Sequence, residues 1–271
     1  MKKYIVLSVN DNPDYLYFLP LTCWAWRRFG WEPIVMWQTN PETVNKKLWS
    51  LVYDNKGKGV TKFNFLYDTF GYRSDTITQV SRLYAACVQE GYLMTGDIDL
   101  IPLSDYWHPK EGEITVYGHD LTGYTHYPIC FIGMDSTRWV EVMGLSSPDY
   151  NKLIKRDLDT LPQAKDPDFY KYWFSDQDLI TKRIKETQFP IKFVNRGQLP
   201  NGYAKGRVDR GAWTLDHKEF IDAHLFHQMY HKGREQYFEK TLDLLEKIWP
   251  EENFDWFILY TQEFRKLTGH K

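Results

Sequence analysis

Near its start the chain carries Tyr4-Ile5-Val6-Leu7-Ser8-Val9, a near-continuous apolar run that ends at the polar turn Asn10-Asp11-Asn12-Pro13. A run of this length bounded by turn residues reads as a buried strand. After the turn, Tyr15 to Phe29 has apolar residues at helical spacing and stops at Gly30, and Pro33 to Trp37 is a second apolar run. Strand, helix and strand in that order make a β-α-β unit, whose strands lie parallel and whose crossover is right-handed. The chain is thereby constrained to the α/β class. Ligands on such sheets bind beyond the carboxyl ends of the strands, which makes Asn10, Asp11 and Asn12 candidates for holding a nucleotide. No Gly-x-Gly-x-x-Gly or Walker-type loop follows the first strand, so a dinucleotide or P-loop site is disfavoured.

The second constraint is Gly91-Tyr92-Leu93-Met94-Thr95-Gly96-Asp97-Ile98-Asp99-Leu100-Ile101-Pro102. Tyr92 to Met94 reads as a short buried strand, with two carboxylates where it runs out. In extended backbone, residues two apart share a side, so Asp97 and Asp99 face one bound object while Ile98 turns back into the core. Like charges this close repel unless something positive sits between them, and a divalent cation on phosphate oxygens meets that need. A solvated turn, or a helix cap at Asp99, fits the bare Asp-x-Asp pattern as well. Upstream, apolar residues at 77, 80, 83, 84, 87 and 88 predict one amphipathic helix from Asp75 to Gly91, capped by Asp75 or Thr76. Arg82 borders its buried stripe and could reach phosphate or sugar; a plain surface arginine is the alternative.

Further along, the pattern predicts a helix over 41–52, a turn over 54–59 and a strand over 62–67. Strands follow at 114–117 and 127–133, and a helix at 137–145. The Pro-rich stretch 146–167 reads as a surface excursion with a short helix at 150–158. A helix over 168–185 carries Asp176-Gln177-Asp178, and 191–194 is a last short strand. On a helix, residues two apart do not share a face, so only one of Asp176 and Asp178 points into a cleft. Residues 195–211 are rich in Gly and Arg and include Lys205 and Arg207, which suits closing over a diphosphate, and equally suits an ordinary surface loop. His224 and His227 then stand beside apolar residues, and amphipathic helices finish the sequence. Residues 1–230 are expected to form the catalytic domain, with the helices of 231–271 packed upon it.

Of the 271 residues, 42% are hydrophobic and 26% charged, the balance of a soluble globular protein long enough to bury a sizeable core. The aromatic share of 17% suits a site that stacks sugar rings or a nucleobase, as it suits core filling. A net charge of -2 offers no electrostatic pull on nucleic acid. The three cysteines, Cys23, Cys87 and Cys130, show no metal-ligand spacing; Cys87 and Cys130 lie in apolar segments and are expected to be buried free thiols in a reducing compartment. No signal-peptide pattern or apolar run of about 18 residues occurs, so a cytoplasmic location is expected. The aromatic carboxyl-terminal region leaves open peripheral membrane contact or a second subunit.

Three features in order, Ser81-Arg82-Leu83-Tyr84 running into Gly91-Tyr92, Asp97-Ile98-Asp99 followed by Leu100-Ile101-Pro102-Leu103, and Asp176-Gln177-Asp178, make the chain resemble the nucleotide-sugar glycosyltransferases of the GT-A fold. The resemblance implies a Rossmann-like, mixed and mostly parallel sheet flanked by helices, with a carboxyl-terminal helical extension. It implies transfer of a sugar from a UDP- or GDP-linked donor to a hydroxyl acceptor on a glycan or glycoconjugate. Mn²⁺ or Mg²⁺ is the implied cofactor, held by Asp97, Asp99 and His224, with His227 and His217 as substitutes for His224. Donor contacts are implied for Asn10, Asp11, Asn12, Arg82, Asp97, Lys205 and Arg207, and catalytic roles for Asp176, Gln177 and Asp178. The Asp-Gln-Asp element is similar to that of retaining enzymes of the glycogenin and bacterial lipooligosaccharide galactosyltransferase type. Their His-x-x-Gly-x-x-Lys-Pro-Trp ending is missing, and Thr181 stands where they commonly have Asn. The helix and Asp-x-Asp section is also similar to glycosyltransferases with a Ser-Asp-x-x-Arg helix before a Gly-Gly-x-Tyr-x-Asp-x-Asp strand, likewise retaining. A sugar-phosphate nucleotidyltransferase is the rival enzyme, although the Gly-rich loop expected of one is missing after Val9; a noncatalytic carbohydrate-binding scaffold is the rival of another class.

Overall fold

The computed structural model describes residues 1–55, 62–119, 125–194, 206–218 and 220–270. Strand β1 (Lys3–Asn10) leads through Asn12, whose side chain accepts a hydrogen bond from the Asp14 amide, into the short helix α1 (Pro13–Leu16). Pro13 sits at the first helical turn, where its missing N–H costs nothing. Helix α2 (Leu19–Arg28) then returns the chain to β2 (Glu32–Gln38). The single helix expected over 15–29 is thus split at Tyr17-Phe18. Pro20 supplies the reason: it has no N–H for the carbonyl of Leu16, so the α-helical ladder cannot run through.

After α3 (Lys46–Asn55) and β3 (Lys62–Leu66) comes α4 (Ser74–Ser81), which tightens into a 3-10 helix (Arg82–Cys87). One continuous helix was expected here. Thr78 and Ser81 turn their hydroxyls back onto the carbonyls of Ser74 and Thr78, local bonds that compete with a regular ladder. Next are β4 (Tyr92–Thr95), β5 (Leu100–Pro102), β6 (Ile114–Tyr117) and β7 (Ile132–Asp135). The strand expected at 127–133 lies later because Phe131 takes a positive φ of 88°, which extended pairing does not allow. Helices α5 (Ser136–Met143), α6 (Tyr150–Leu158), α7 (Phe169–Tyr172) and α8 (Ser175–Lys185) lead to β8 (Ile191–Val194). Strands β9 (Arg207–Val208) and β10 (Asp222–His224) precede α9 (Glu235–Ile248) and α10 (Asp255–Thr268).

Seven strands form one sheet in the order β3-β2-β1-β4-β7-β6-β8. β7 runs antiparallel to both neighbours, and the other pairings are parallel. The fold is therefore mixed α/β, with a mostly parallel sheet between helices. Alternation along β1 divides the core: Ile5, Leu7 and Val9 enter one cluster, Tyr4 and Val6 the other. The first cluster lies under α2 and takes in Phe257, Tyr260 and Phe264 of α10, so the carboxyl-terminal helices cover that face. The second is covered by residues of α4, α5, α6 and α8. Cys23 is buried, whereas Cys87 and Cys130 are only partly so, a correction to the expectation from their apolar neighbours; none of the three is in a disulfide. A second, three-stranded sheet, β5-β10-β9, stands beyond the end of β4.

Candidate active site

A cavity of about 510 Å³ opens at the carboxyl ends of β1 and β4. Gly96 continues β4 against β1 beside it, where a Cβ would meet Ile5 Cδ1 at 2.8 Å and force that side chain to shift. The chain then bends rather than staying extended, because Leu100 N–H bonds the Asp97 carbonyl (3.3 Å) and closes a turn over 97–100. This corrects the extended geometry expected of the Asp pair. The chain has to leave the large sheet for the small one, and the turn makes that change of direction. Asp97 and Asp99 both line the cavity, at two different centres.

At the first centre, Arg82 is buried and donates through Nη1 to Asp97 Oδ1 and to the Gly96 carbonyl (2.9 Å), and through Nη2 to Asp176 Oδ2 (2.8 Å). Burial disfavours its charge, but the two carboxylates reverse that and hold its pKa above the ordinary arginine value. Burial pushes the Asp176 carboxyl up, against the pull of Arg82. Both Asp176 oxygens are engaged, since Oδ1 accepts from the Gln177 amide (2.8 Å).

The second centre is made by strand register. β10 pairs antiparallel with β5, placing His224 opposite Leu100, and Leu225 N–H bonds the Asp99 carbonyl (2.9 Å). Asp99 Oδ2 consequently meets three groups: His227 Nε2 at 2.8 Å, Arg210 Nη2 at 2.9 Å and His224 Nε2 at 3.1 Å. Burial alone would raise the Asp99 pKa; the His224 and His227 imidazoles against its oxygen outweigh it and hold the carboxyl well below the usual range. Behind the imidazole, His224 Nδ1 faces Asp209 Oδ2 (3.2 Å). Tyr15 meets the His227 ring edge-on at 5.0 Å, and burial followed by the Asp99 charge pushes its phenol up to about 12. Asp14 secures the backbone after His227 by accepting from Gln228 Nε2 (2.9 Å) and the Tyr230 hydroxyl (2.8 Å). Helix α10 braces both ends of this arrangement. The Tyr260 hydroxyl donates to the Tyr17 carbonyl (3.1 Å), the Tyr17 hydroxyl bonds Thr261 (2.7 Å), and Arg265 Nε donates to the Tyr230 carbonyl (2.8 Å).

Asn10, Asn12, Arg82, Asp97, Asp99, Asp176, Gln177 and His224 all line the cavity. Asp11 does not; it accepts from Trp37 Nε1 (3.0 Å), the Thr39 hydroxyl (2.8 Å) and the Asn40 amide (3.1 Å), tying the end of β1 to the end of β2. Asp178 accepts from Gln163 Nε2 (3.1 Å), and Arg207 makes a bidentate pair with buried Asp222 (2.8 and 3.1 Å) that fastens β9 to β10. Lys205 lies outside the described residues. Tyr15, Trp173 and Gln79 also line the cavity, and sequence reasoning did not single them out. Gln79 and Arg82 stand three apart along one helical stretch, a spacing that could have joined them. Gln79 Oε1 is buried and has no hydrogen-bond partner among the described residues.

Among the described residues no three His, Cys, Asp or Glu donors are spaced as around a metal. His224 and His227 instead each touch Asp99 directly, with the Arg210 guanidinium as its cation. Their chemistry, one carboxylate oxygen and two imidazole nitrogens beside a cavity, fits a Mn²⁺-like ion once they part to coordination distance.

Among the described residues no helix is long and apolar enough to cross a membrane. No protein-family model matches the chain, and no curated protein sequence matches it. Among solved structures it is similar to the apo structure of WbbM, a bifunctional glycosyltransferase, at 12% identity over 96% of this chain and 51% of that one, with a TM-score of 0.47. It is similar also to the glycosyltransferase GlyE of Streptococcus pneumoniae TIGR4, at 12% identity over 93% of this chain and 64% of that one, with a TM-score of 0.48. The chain thus spans about half the length of one and under two thirds of the other.

Proposed function

We propose that this chain is a metal-dependent glycosyltransferase of the GT-A type, moving a sugar from a UDP- or GDP-linked donor to a hydroxyl of a glycan or glycoconjugate. One observation carries the proposal: beyond the ends of β1 and β4, a single cavity holds an aspartate with two imidazole Nε2 atoms next to an aspartate fixed by a buried arginine. Asp99, His224 and His227 are the residues that would hold Mn²⁺ or Mg²⁺. When bound, the ion supplies positive charge against the diphosphate that departs from the sugar.

The remaining steps belong to the protein's own side chains. Asn10 and Asn12, at the mouth of β1, offer amide groups to the nucleoside. Asp97, held by Arg82, faces the ribose and sugar as a hydrogen-bond acceptor. Gln79 Oε1, buried without a partner among the described residues, accepts from a hydroxyl of the donor, since an unmet buried acceptor costs about 1–3 kcal/mol until it is satisfied. Gln177 faces the transferred sugar from α8. Inversion needs a carboxylate open to the acceptor proton, but of those lining the cavity Asp75 pairs with Arg73, Asp97 and Asp176 pair with Arg82, and Asp99 is the one that would hold the metal. We therefore favour retention of the anomeric configuration.

Isothermal titration of UDP and of GDP, with and without Mn²⁺, on the wild type and on Asp99→Ala tests the proposal. One nucleotide is expected to bind only when metal is present, and the substitution to abolish that binding. Equal binding without metal, or none under any condition, would overturn it and favour a noncatalytic scaffold.

A further inference from the structure

Arg210 follows β9, in a turn closed by the bridge between Asp209 and Ala212, and its guanidinium reaches the cavity. Nη2 lies 2.9 Å from Asp99 Oδ2 and also contacts His224 Nε2. Nη2 carries two hydrogens, enough to donate to both. On the far side of the ring, Nδ1 is 3.2 Å from Asp209 Oδ2, a contact that places the ring hydrogen on Nδ1 and leaves Nε2 with its lone pair toward the cavity. The guanidinium therefore engages the same carboxylate oxygen and the same imidazole lone pair that a metal ion would need.

The second arginine of the cavity behaves differently. Arg82 is 6% exposed, and its acceptors are Gln79 O, Gly96 O, Asp97 and Asp176, none of which the metal centre uses. Arg210 has a side chain 27% exposed on a surface turn, and its acceptors are metal-centre residues.

We propose that Arg210 is an exchangeable counter-ion. It neutralises Asp99 while no metal is bound, leaves Asp99 and His224 when a divalent ion arrives, and then pairs with the donor's diphosphate in the same cavity. A guanidinium and a dication cannot share these lone pairs, and their like charges repel at this distance. Metal binding without nucleotide must therefore break a charge-assisted hydrogen bond and strand the guanidinium. A diphosphate gives that guanidinium a new bidentate partner, so metal and nucleotide help one another to bind beyond the contacts they make directly, and linkage makes this help reciprocal. The proposal rests on the donor-site assignment above and adds a coupling to it.

Mn²⁺ titrations followed by the electron paramagnetic resonance of the free ion read the coupling without any turnover. Wild type, Arg210→Gln, Arg210→Lys and Asp99→Ala are compared without nucleotide and with UDP or GDP, after thermal melts have established that each is folded. Arg210→Gln is expected to tighten nucleotide-free Mn²⁺ binding about tenfold and to shrink the gain from nucleotide by a similar factor, a common size for coupling between two sites. Arg210→Lys, still cationic but without the fork, is expected to fall between the two, and it carries the test if the Gln variant does not fold. Unchanged or weaker nucleotide-free binding in these variants, with Asp99-dependent binding intact in the wild type plus nucleotide, would overturn the exchange and leave the donor site standing. Absence of Asp99-dependent Mn²⁺ binding in every protein would overturn both.

Discussion

Two buried aspartates of this molecule invite comparison. Asp157, on α6, accepts from the Tyr84 hydroxyl (2.6 Å), from Arg156 Nε and Nη2 (2.8 Å each) and from Arg183 Nη2 (2.8 Å). Asp99 Oδ2 accepts from Arg210 and meets the Nε2 atoms of two imidazoles. Burial raises the pKa of each, and partners bring each below the usual carboxylate range. What separates them is where the partners stand. Those of Asp157 come from α6, the 3-10 helix and α8, and bolt these three elements together. Those of Asp99 line a cavity and can exchange for something that enters it. A buried charge serves the fold when its partners are committed, and serves a ligand when they are not.

The comparison breaks most sharply if Asp99 is removed. Asp99→Ala is expected to lower kcat/KM for sugar transfer by on the order of 10³-fold, with little change in melting temperature, measured by donor turnover and calorimetry. Arg82→Ala comes next, because it leaves Asp176 buried without its cation. A destabilisation of about 3–5 kcal/mol in urea unfolding is expected, with loss of donor binding. Asp157→Asn should cost about 2–4 kcal/mol by the same measurement and leave nucleotide affinity unchanged at temperatures where the protein is folded.

The pH dependence of that third variant sharpens the contrast. The folded Asp157 pKa is depressed, so its stabilisation is fully present above the unfolded carboxylate value of about 3.9 and is lost as pH falls through the folded value. The stability gap between wild type and Asp157→Asn should hold from neutrality down to about pH 4 and close below it. A gap that widened on acidification would contradict this. Least affected is Asp178→Asn, whose carboxylate bonds only Gln163 among the described residues; a change under about 0.5 kcal/mol and near-normal turnover are expected, against a large loss of turnover for Asp176→Asn.

The long strands β1 and β2 are legible because burial on both faces leaves an apolar run, and they lie within a residue or two of their expected places, as do the four-residue strands β6 and β8. Strands β5, β9 and β10 are not legible. They are two or three residues long, too short for any periodicity, and their pairing is decided by the rest of the fold. The loss matters, because the register of β10 on β5 is what brings His224 to Asp99. The Asp pair is visible as a pattern, but its turn depends on where β5 lies. Asp11, Asp178 and Arg207 have the right chemistry and the right neighbourhood, yet each has a closer partner in Trp37, Gln163 or Asp222. Sequence shows which groups are charged, whereas only packing shows which charges are already spent.

The brace from α10 to Tyr17 and to the Tyr230 carbonyl has a consequence for how the protein is made. Asn12, Tyr15 and Asp99 emerge from the ribosome before α10, together with the strands that carry them. The segment that holds Tyr17 and the 228–231 backbone in place, residues 255–268, emerges after every residue of the cavity. Synthesis thus exposes the sheet well before the pocket it supports can set, and the nascent chain must keep a half-built, aromatic-rich face from aggregating until α10 docks.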